Sequence, residues 1–185
     1  MGLLSVTVDL DEIDCYHAIH GLEKPAAPVE NIIYSRVLSR IAQFFEELEI
    51  PGTFFVVGKD LAKGGRSGSV LRDVSNGGHE IGNHTMNHRY DLTELTPYEV
   101  ENELNQGGQI ISETIGKPPQ GFRAPGYNIH LGIIDLLKHN DYLYDSSVFP
   151  CPVYYSAKAA AMGLKTMKPR QASSRRKRLS VARQP

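Results

Sequence analysis

The 185-residue chain has no tryptophan, only two cysteines, and no apolar run near the ~18 residues that a membrane span requires. Cys15 and Cys151 form neither a metal-ligand spacing nor a disulfide framework. The opening MGLLSVTVDLDE has no basic segment before its apolar residues, and a carboxylate arrives by Asp9, so it does not read as a signal peptide. Gly2 begins a myristoylation-like pattern, but Val6 stands where Ser or Thr is needed. These absences set the expectation of a soluble cytoplasmic protein with reduced thiols and no membrane contact. Acidic residues are missing from one region only. From Lys165 to the end there are eight Lys or Arg and no Asp or Glu, whereas the rest carries twelve basic and twenty-one acidic side chains, a net of −9. An acidic body argues against general nucleic-acid binding. The basic stretch 165–185 has few apolar residues and is expected to be disordered. Residues 1–164 are expected to form one domain, long enough to bury a core.

What is present is an alternation of two periods. LLSVTV (3–8), TFFVV (53–57), HEIGNH (79–84), GFRAP (121–125) and YLYDSS (142–147) read as short strands. Residues 13–28 read as a loop ending in Pro28. Residues 29–50 place Ile33, Val37, Leu38, Ile41, Phe44, Phe45 and Leu48 at helical spacing, with a stop at Pro51-Gly52. Further helices are predicted over 69–78, 96–116 and 131–140. The second of these opens with Thr96-Pro97, and Glu99 completes a capping-box spacing. The order β-α-β-α-β-α-β-α-β, with mostly continuous apolar strands, calls for a parallel sheet covered by helices. In such sheets the chemistry sits at the strands' C-terminal ends. Asp9, Asp11, His84, His88, Arg123 and Asp145 all fall near such ends.

Two stretches stand out chemically. HTMNH sets His84 and His88 four apart, close enough for both rings to reach one ion or, equally, to decorate a polar turn. VDLDE sets Asp9 and Asp11 two apart. Adjacent carboxylates repel, and a bound cation relieves that repulsion; one then ligates while the other stays free as a base. The alternative is an exposed acidic loop. Two His and one Asp would leave an open position on a divalent ion, the arrangement of catalytic rather than structural zinc. The reaction such a site suits is hydrolysis of an amide or ester.

VDLDE, TFFVVG, GHEIGNHTMNH, GFRAPGY and YDSS occur in an order and spacing that resembles the polysaccharide deacetylase (NodB-homology) family, carbohydrate esterase family four, over roughly residues 3–164. The resemblance implies an α/β fold, an incomplete or distorted (β/α) barrel, here of about five parallel strands with covering helices. It implies a divalent metal, usually zinc, held by Asp11, His84 and His88. It implies Asp9 as catalytic base, Arg123 as the arginine that holds this base, and Asp145 as the carboxylate that partners the arginine. A backbone N–H after the proline would serve as oxyanion donor; Gly126 and Tyr127 both match that place. The implied reaction is removal of N-acetyl groups from a sugar or polysaccharide, a hydrolysis of non-peptide C–N bonds.

The pattern also departs from the family. No histidine follows His139 to act as the general acid, and the remaining barrel strands are not in the sequence. Two alternatives therefore accompany the main reading: a cyclic-imide or allantoin-type amidohydrolase, and an inactive shortened remnant that binds metal or sugar. The sequence assigns no oligomeric state.

Overall fold

The computed structural model describes residues 5–23 and 31–148, with short pieces at 151–153, 156–157 and 159–160. Chain contacts separate a compact unit ending at Phe149 from residues 150–185. The basic stretch 165–185 lies outside the described residues, as does the predicted helix start at 29–30.

Five strands form one parallel sheet in sequence order: β1 Val6–Asp9, β2 Gly52–Val56, β3 Glu80–Asn83, β4 Gly121–Phe122 and β5 Tyr144–Asp145. The sheet curls into a half-barrel, the incomplete (β/α) barrel expected. Phe54, Phe55 and Val56 of β2 are fully buried because layers cover both faces of a central parallel strand. Register brings the strand ends level. Asp9 lies beside Phe55, Asn83 beside both Val56 and Phe122, and Phe122 beside Asp145. The residues that follow these positions therefore share one rim.

The helices are α1 Ile13–His20, α2 Leu38–Glu47, α3 Gly58–Ala62, α4 Ser67–Asn76, α5 Pro97–Ile115 and α6 Leu131–His139. One core cluster joins Leu38 and Phe45 to Phe54, Leu71 and Ile81. A second gathers Leu104, Phe122, Ile133 and Leu137 between α5, α6 and β4. The capping box is formed: Thr96 Oγ1 accepts from the Glu99 amide at 3.3 Å, and Glu99 accepts from the Thr96 amide at 2.9 Å.

Three expectations need correction. Residues 13–20 are helical, not loop. Gly21 takes the left-handed conformation (φ 63) and ends the helix with bonds from its own amide to Ala18 and from Leu22 to His17, well before the prolines. The helix predicted from residue 29 contains a π turn at Ile33–Val37, and its buried stripe is Tyr34, Leu38, Ala42 and Phe45, while Phe44 and Leu48 are exposed. The short helix α3 was not foreseen, because GKDLA is too brief to show a period.

Candidate metal centre

The rim is built from the ends of β1, β3 and β4. Leu10 is buried between Asp9 and Asp11, and the two carboxylates take different partners. Asp11 Oδ1 lies 3.4 Å from His84 Nε2 and 3.1 Å from His88 Nε2. All three ligand-type atoms lie within 4.8 Å of one another. Two ligands bound at about 2.1 Å to one ion can be at most about 4.2 Å apart, so both Asp–His separations suit a shared ion. The chemistry of the donors agrees. Asp11 Oδ1 and His88 Nε2 are buried without a properly directed hydrogen bond, although they face each other. His84 Nδ1 is 2.6 Å from the Arg123 carbonyl. A carbonyl accepts only, so Nδ1 carries a proton, and Nε2 is the ring atom turned to Asp11. Burial alone would raise the Asp11 carboxyl; the two imidazoles outweigh it and hold the group well below the usual carboxylate range. These residues fit a divalent ion.

The loop between the histidines is strained and tightly held. Thr85 and His88 both have left-handed backbone, φ 68 and 56. The Thr85 amide donates to Asn83 Oδ1 at 2.9 Å, and the His88 amide to Thr85 Oγ1 at 3.0 Å. Gly107 of α5 makes room: a Cβ there would stand 2.6 Å from Asn83 Oδ1 and 3.0 Å from the Thr85 carbonyl carbon.

Asp9 does not point into the His pair. Its Oδ1 accepts from Arg123 Nη1 at 2.7 Å. The same guanidinium donates to Thr7 Oγ1 at 2.9 Å and to Ser146 Oγ at 2.7 Å, and lies over the Phe55 ring at 4.2 Å. Among the described residues no ion pair joins Arg123 to Asp145, so the expected partnership is corrected. Asp145 binds Ser147 instead, accepting from its hydroxyl at 2.5 Å and its amide at 3.1 Å. The Ser147 hydroxyl in turn accepts from the Ala124 amide at 2.8 Å. Strand β5 ends at Asp145, and the next residue, Ser146, takes the arginine. Asp145 thus braces the turn after Arg123 rather than the guanidinium itself. That turn, Pro125–Tyr127, has left-handed backbone at Gly126 (φ 61) and Tyr127 (φ 59). The Tyr127 amide already donates to the Ala124 carbonyl at 3.0 Å.

Other acidic and histidine side chains of the chain have different roles. Asp14 pairs with Lys63 at 3.7 Å and does not join the metal set. His79 accepts from the Gly52 amide at 3.1 Å, at the opposite end of the sheet. His130 caps α6 by accepting from the Ile133 amide. A cavity of about 240 Å³ opens beside His88, lined by Cys15, Ile19, Lys59 and Tyr90 among others. A larger one of about 360 Å³ lies around His79 and Lys117, away from this chemistry. Sequence reasoning gave no role to Asn83, Glu103, Ser146 and Ser147, which orient the site; Asn83 and the two serines lie inside GHEIGNHTMNH and YDSS, and Glu103 in neither.

The sequence profile described as polysaccharide deacetylase matches residues 29–144. The chain belongs to the polysaccharide deacetylase family. It is 23% identical over 148 residues to the peptidoglycan deacetylase of Helicobacter pylori, covering 79% of this chain and 49% of that one. It is 35% identical over 71 residues to a chitooligosaccharide deacetylase of Rhizobium leguminosarum, covering 38% and 30%. The chain therefore spans less than half the length of these curated relatives. Solved structures of similar fold include one from Mycobacterium smegmatis assigned to the polysaccharide deacetylases, with TM-score 0.66 and 24% identity, covering 78% of this chain and 50% of that one. Another is a family 4 carbohydrate esterase from Streptomyces lividans in complex with acetate, with TM-score 0.55 and 19% identity, covering 78% and 61%.

Proposed function

We propose that the chain is a metal-dependent hydrolase that removes N-acetyl groups from a sugar or polysaccharide. The observation that carries this reading is the convergence of Asp11, His84 and His88, with the Asp9–Arg123 pair beside them. Asp11, His84 and His88 would hold a divalent ion, zinc by the nature of the donors, which when bound polarises an amide carbonyl and acidifies water. Asp9 accepts the proton of the attacking water, and Arg123 holds the carboxylate in place and balances its charge. The backbone after Pro125 offers the donor for the developing oxyanion. Gly126 and Tyr127 are its two candidates, and the Tyr127 amide also donates to the Ala124 carbonyl. The cyclic-imide and inert alternatives gain no support from the relatives found.

The test is acetate release from N-acetylated chitooligosaccharides and from peptidoglycan, with zinc-loaded protein. Asp9→Asn should keep the metal and lose acetate release. Loss of metal from that variant would mean that the roles of Asp9 and Asp11 are reversed. Absence of acetate release from either substrate by the loaded wild type would reject the proposed activity.

A further inference from the structure

Between the two histidines the chain is gripped from both sides. On one side the amides of Gly58 and Lys59, at the start of α3, donate to the carbonyls of Thr85 and Met86 at 3.0 and 2.7 Å. On the other side stands Glu103 of α5, a carboxylate only 8% exposed. Its Oε2 accepts from the Asn87 amide at 2.8 Å, and its Oε1 from the Asn87 side-chain amide at 2.7 Å. Its own backbone carbonyl accepts from the Met86 amide at 3.0 Å. Three bonds from one helical residue thus fix the two residues that immediately precede His88.

That grip falls where the backbone most needs it. His88 is a non-glycine residue in the left-handed region, which is sparsely populated unless the surroundings impose it. Released from Glu103, the turn keeps only the bonds from Gly58, Lys59 and the His88 amide to hold the next residue in that conformation. An imidazole one turn-state away would carry its Nε2 off Asp11. A carboxylate suits the task because both groups of Asn87 are donors. A glutamine offers only one acceptor and confronts the second donor with an NH2.

We infer that Glu103 is a positioning residue of the metal centre: by binding both donors of Asn87 it holds the left-handed turn that brings His88 Nε2 to Asp11. The inference rests on the metal reading given above. Among the described residues Glu103 makes no hydrogen bond to Asp11, His84 or His88; it acts through Asn87 and the backbone of His88. Partners that orient metal ligands from behind carry about tenfold to hundredfold of metal affinity.

The experiment uses the full chain as wild type, Glu103→Gln, Asn87→Ala and the double variant. Each is titrated with Co²⁺, whose visible absorption reports ligand number and geometry, and each is unfolded thermally without metal. Each single variant should bind Co²⁺ about ten- to a hundredfold more weakly, with an altered absorption band. The double variant should be no weaker than the worse single one, since both remove the same contact. Asn87 is exposed, so Asn87→Ala should fold, with only a modest fall in its metal-free unfolding temperature, and decides the matter should Glu103→Gln fail to fold. Wild-type affinity and spectrum in Asn87→Ala, or losses that simply add, overturn the role of Glu103 and leave the metal centre standing. A wild type that binds no divalent ion overturns the centre itself, and the role with it.

Discussion

Arg123 directs its N–H groups to Asp9, Thr7 and Ser146 while its plane lies on Phe55, a combination that needs a flat fork of donors. Lysine has one point charge and cannot serve all three. Replacement by methionine leaves Asp9 without its counter-charge. Removing one member of a buried pair costs 3–5 kcal/mol; because the Asp9 side chain is 23% exposed, about 3 kcal/mol is expected for Arg123→Met, read from the urea midpoint. Cys15 makes a contrasting case. Burial pushes its thiol up to about 12, so at pH 8 only about one thiol in ten thousand is ionised. Iodoacetamide should leave it unmodified in the folded protein and label it in urea; rapid labelling of native Cys15 would show that α1 opens readily. At this scale the sequence was legible where chemistry restricts the residue type. Asp11, His84 and His88 announce themselves because few side chains can bind a metal. Glu103 does not, because its partner is fixed by packing across 16 positions and any surface helix carries glutamates.

Helix α5 shows how two element-level effects of opposite sign can be ranked. Gly107 lies inside the helix, where alanine would ordinarily stabilise by up to about 1 kcal/mol. Here its Cβ would press on Asn83 and on the Thr85 backbone. Neither can retreat freely, since Asn83 also donates to the Leu104 carbonyl at 2.9 Å and Thr85 is bonded to Asn83. Overpacking of this kind costs about 1–3 kcal/mol, so Gly107→Ala should be net destabilising by about 1–2 kcal/mol and should weaken metal binding. An increase in unfolding temperature with unchanged metal affinity would mean that the loop yields to the added methyl. The elements themselves were mostly legible. Long periodic segments and the Thr96–Glu99 box give α5 almost to the residue. Helix α1 was missed because Pro25 and Pro28 suggested loop, whereas Gly21 had already ended the helix. Strands β4 and β5 came out as two residues each, because pairing in a curled sheet, and not the apolar pattern, decides where a ladder stops.

At the scale of the molecule, the site is a product of order in the sheet. β1, β3 and β4 each deliver one part: the carboxylates, the histidines and the arginine. Parallel register puts all three at one rim without any of them being neighbours in sequence. This arrangement concentrates two imidazoles and two carboxylates in a small space, with Asp11 Oδ1 and His88 Nε2 buried and without a directed hydrogen bond. The folded chain therefore offers a cation something that the unfolded chain cannot, namely three donors already converged. Whatever binds only the folded state stabilises it by mass action, by about 2.7 kcal/mol at a hundredfold excess over the dissociation constant. For a folded unit of this size each kcal/mol raises the unfolding temperature by about 2–4 °C, so zinc should raise it by about 5–10 °C. The rise should continue with the logarithm of zinc concentration, and a chelator should reverse it. Asp11→Asn removes the charged donor while keeping the shape, and should flatten the dependence. His130, which caps the start of α6 and is not one of the three donors, supplies the control: His130→Ala should lose its helix cap and some stability, yet keep the full zinc response. A zinc response equal in Asp11→Asn and wild type would place the ion elsewhere on the chain, and no response in either would remove the metal from this account altogether.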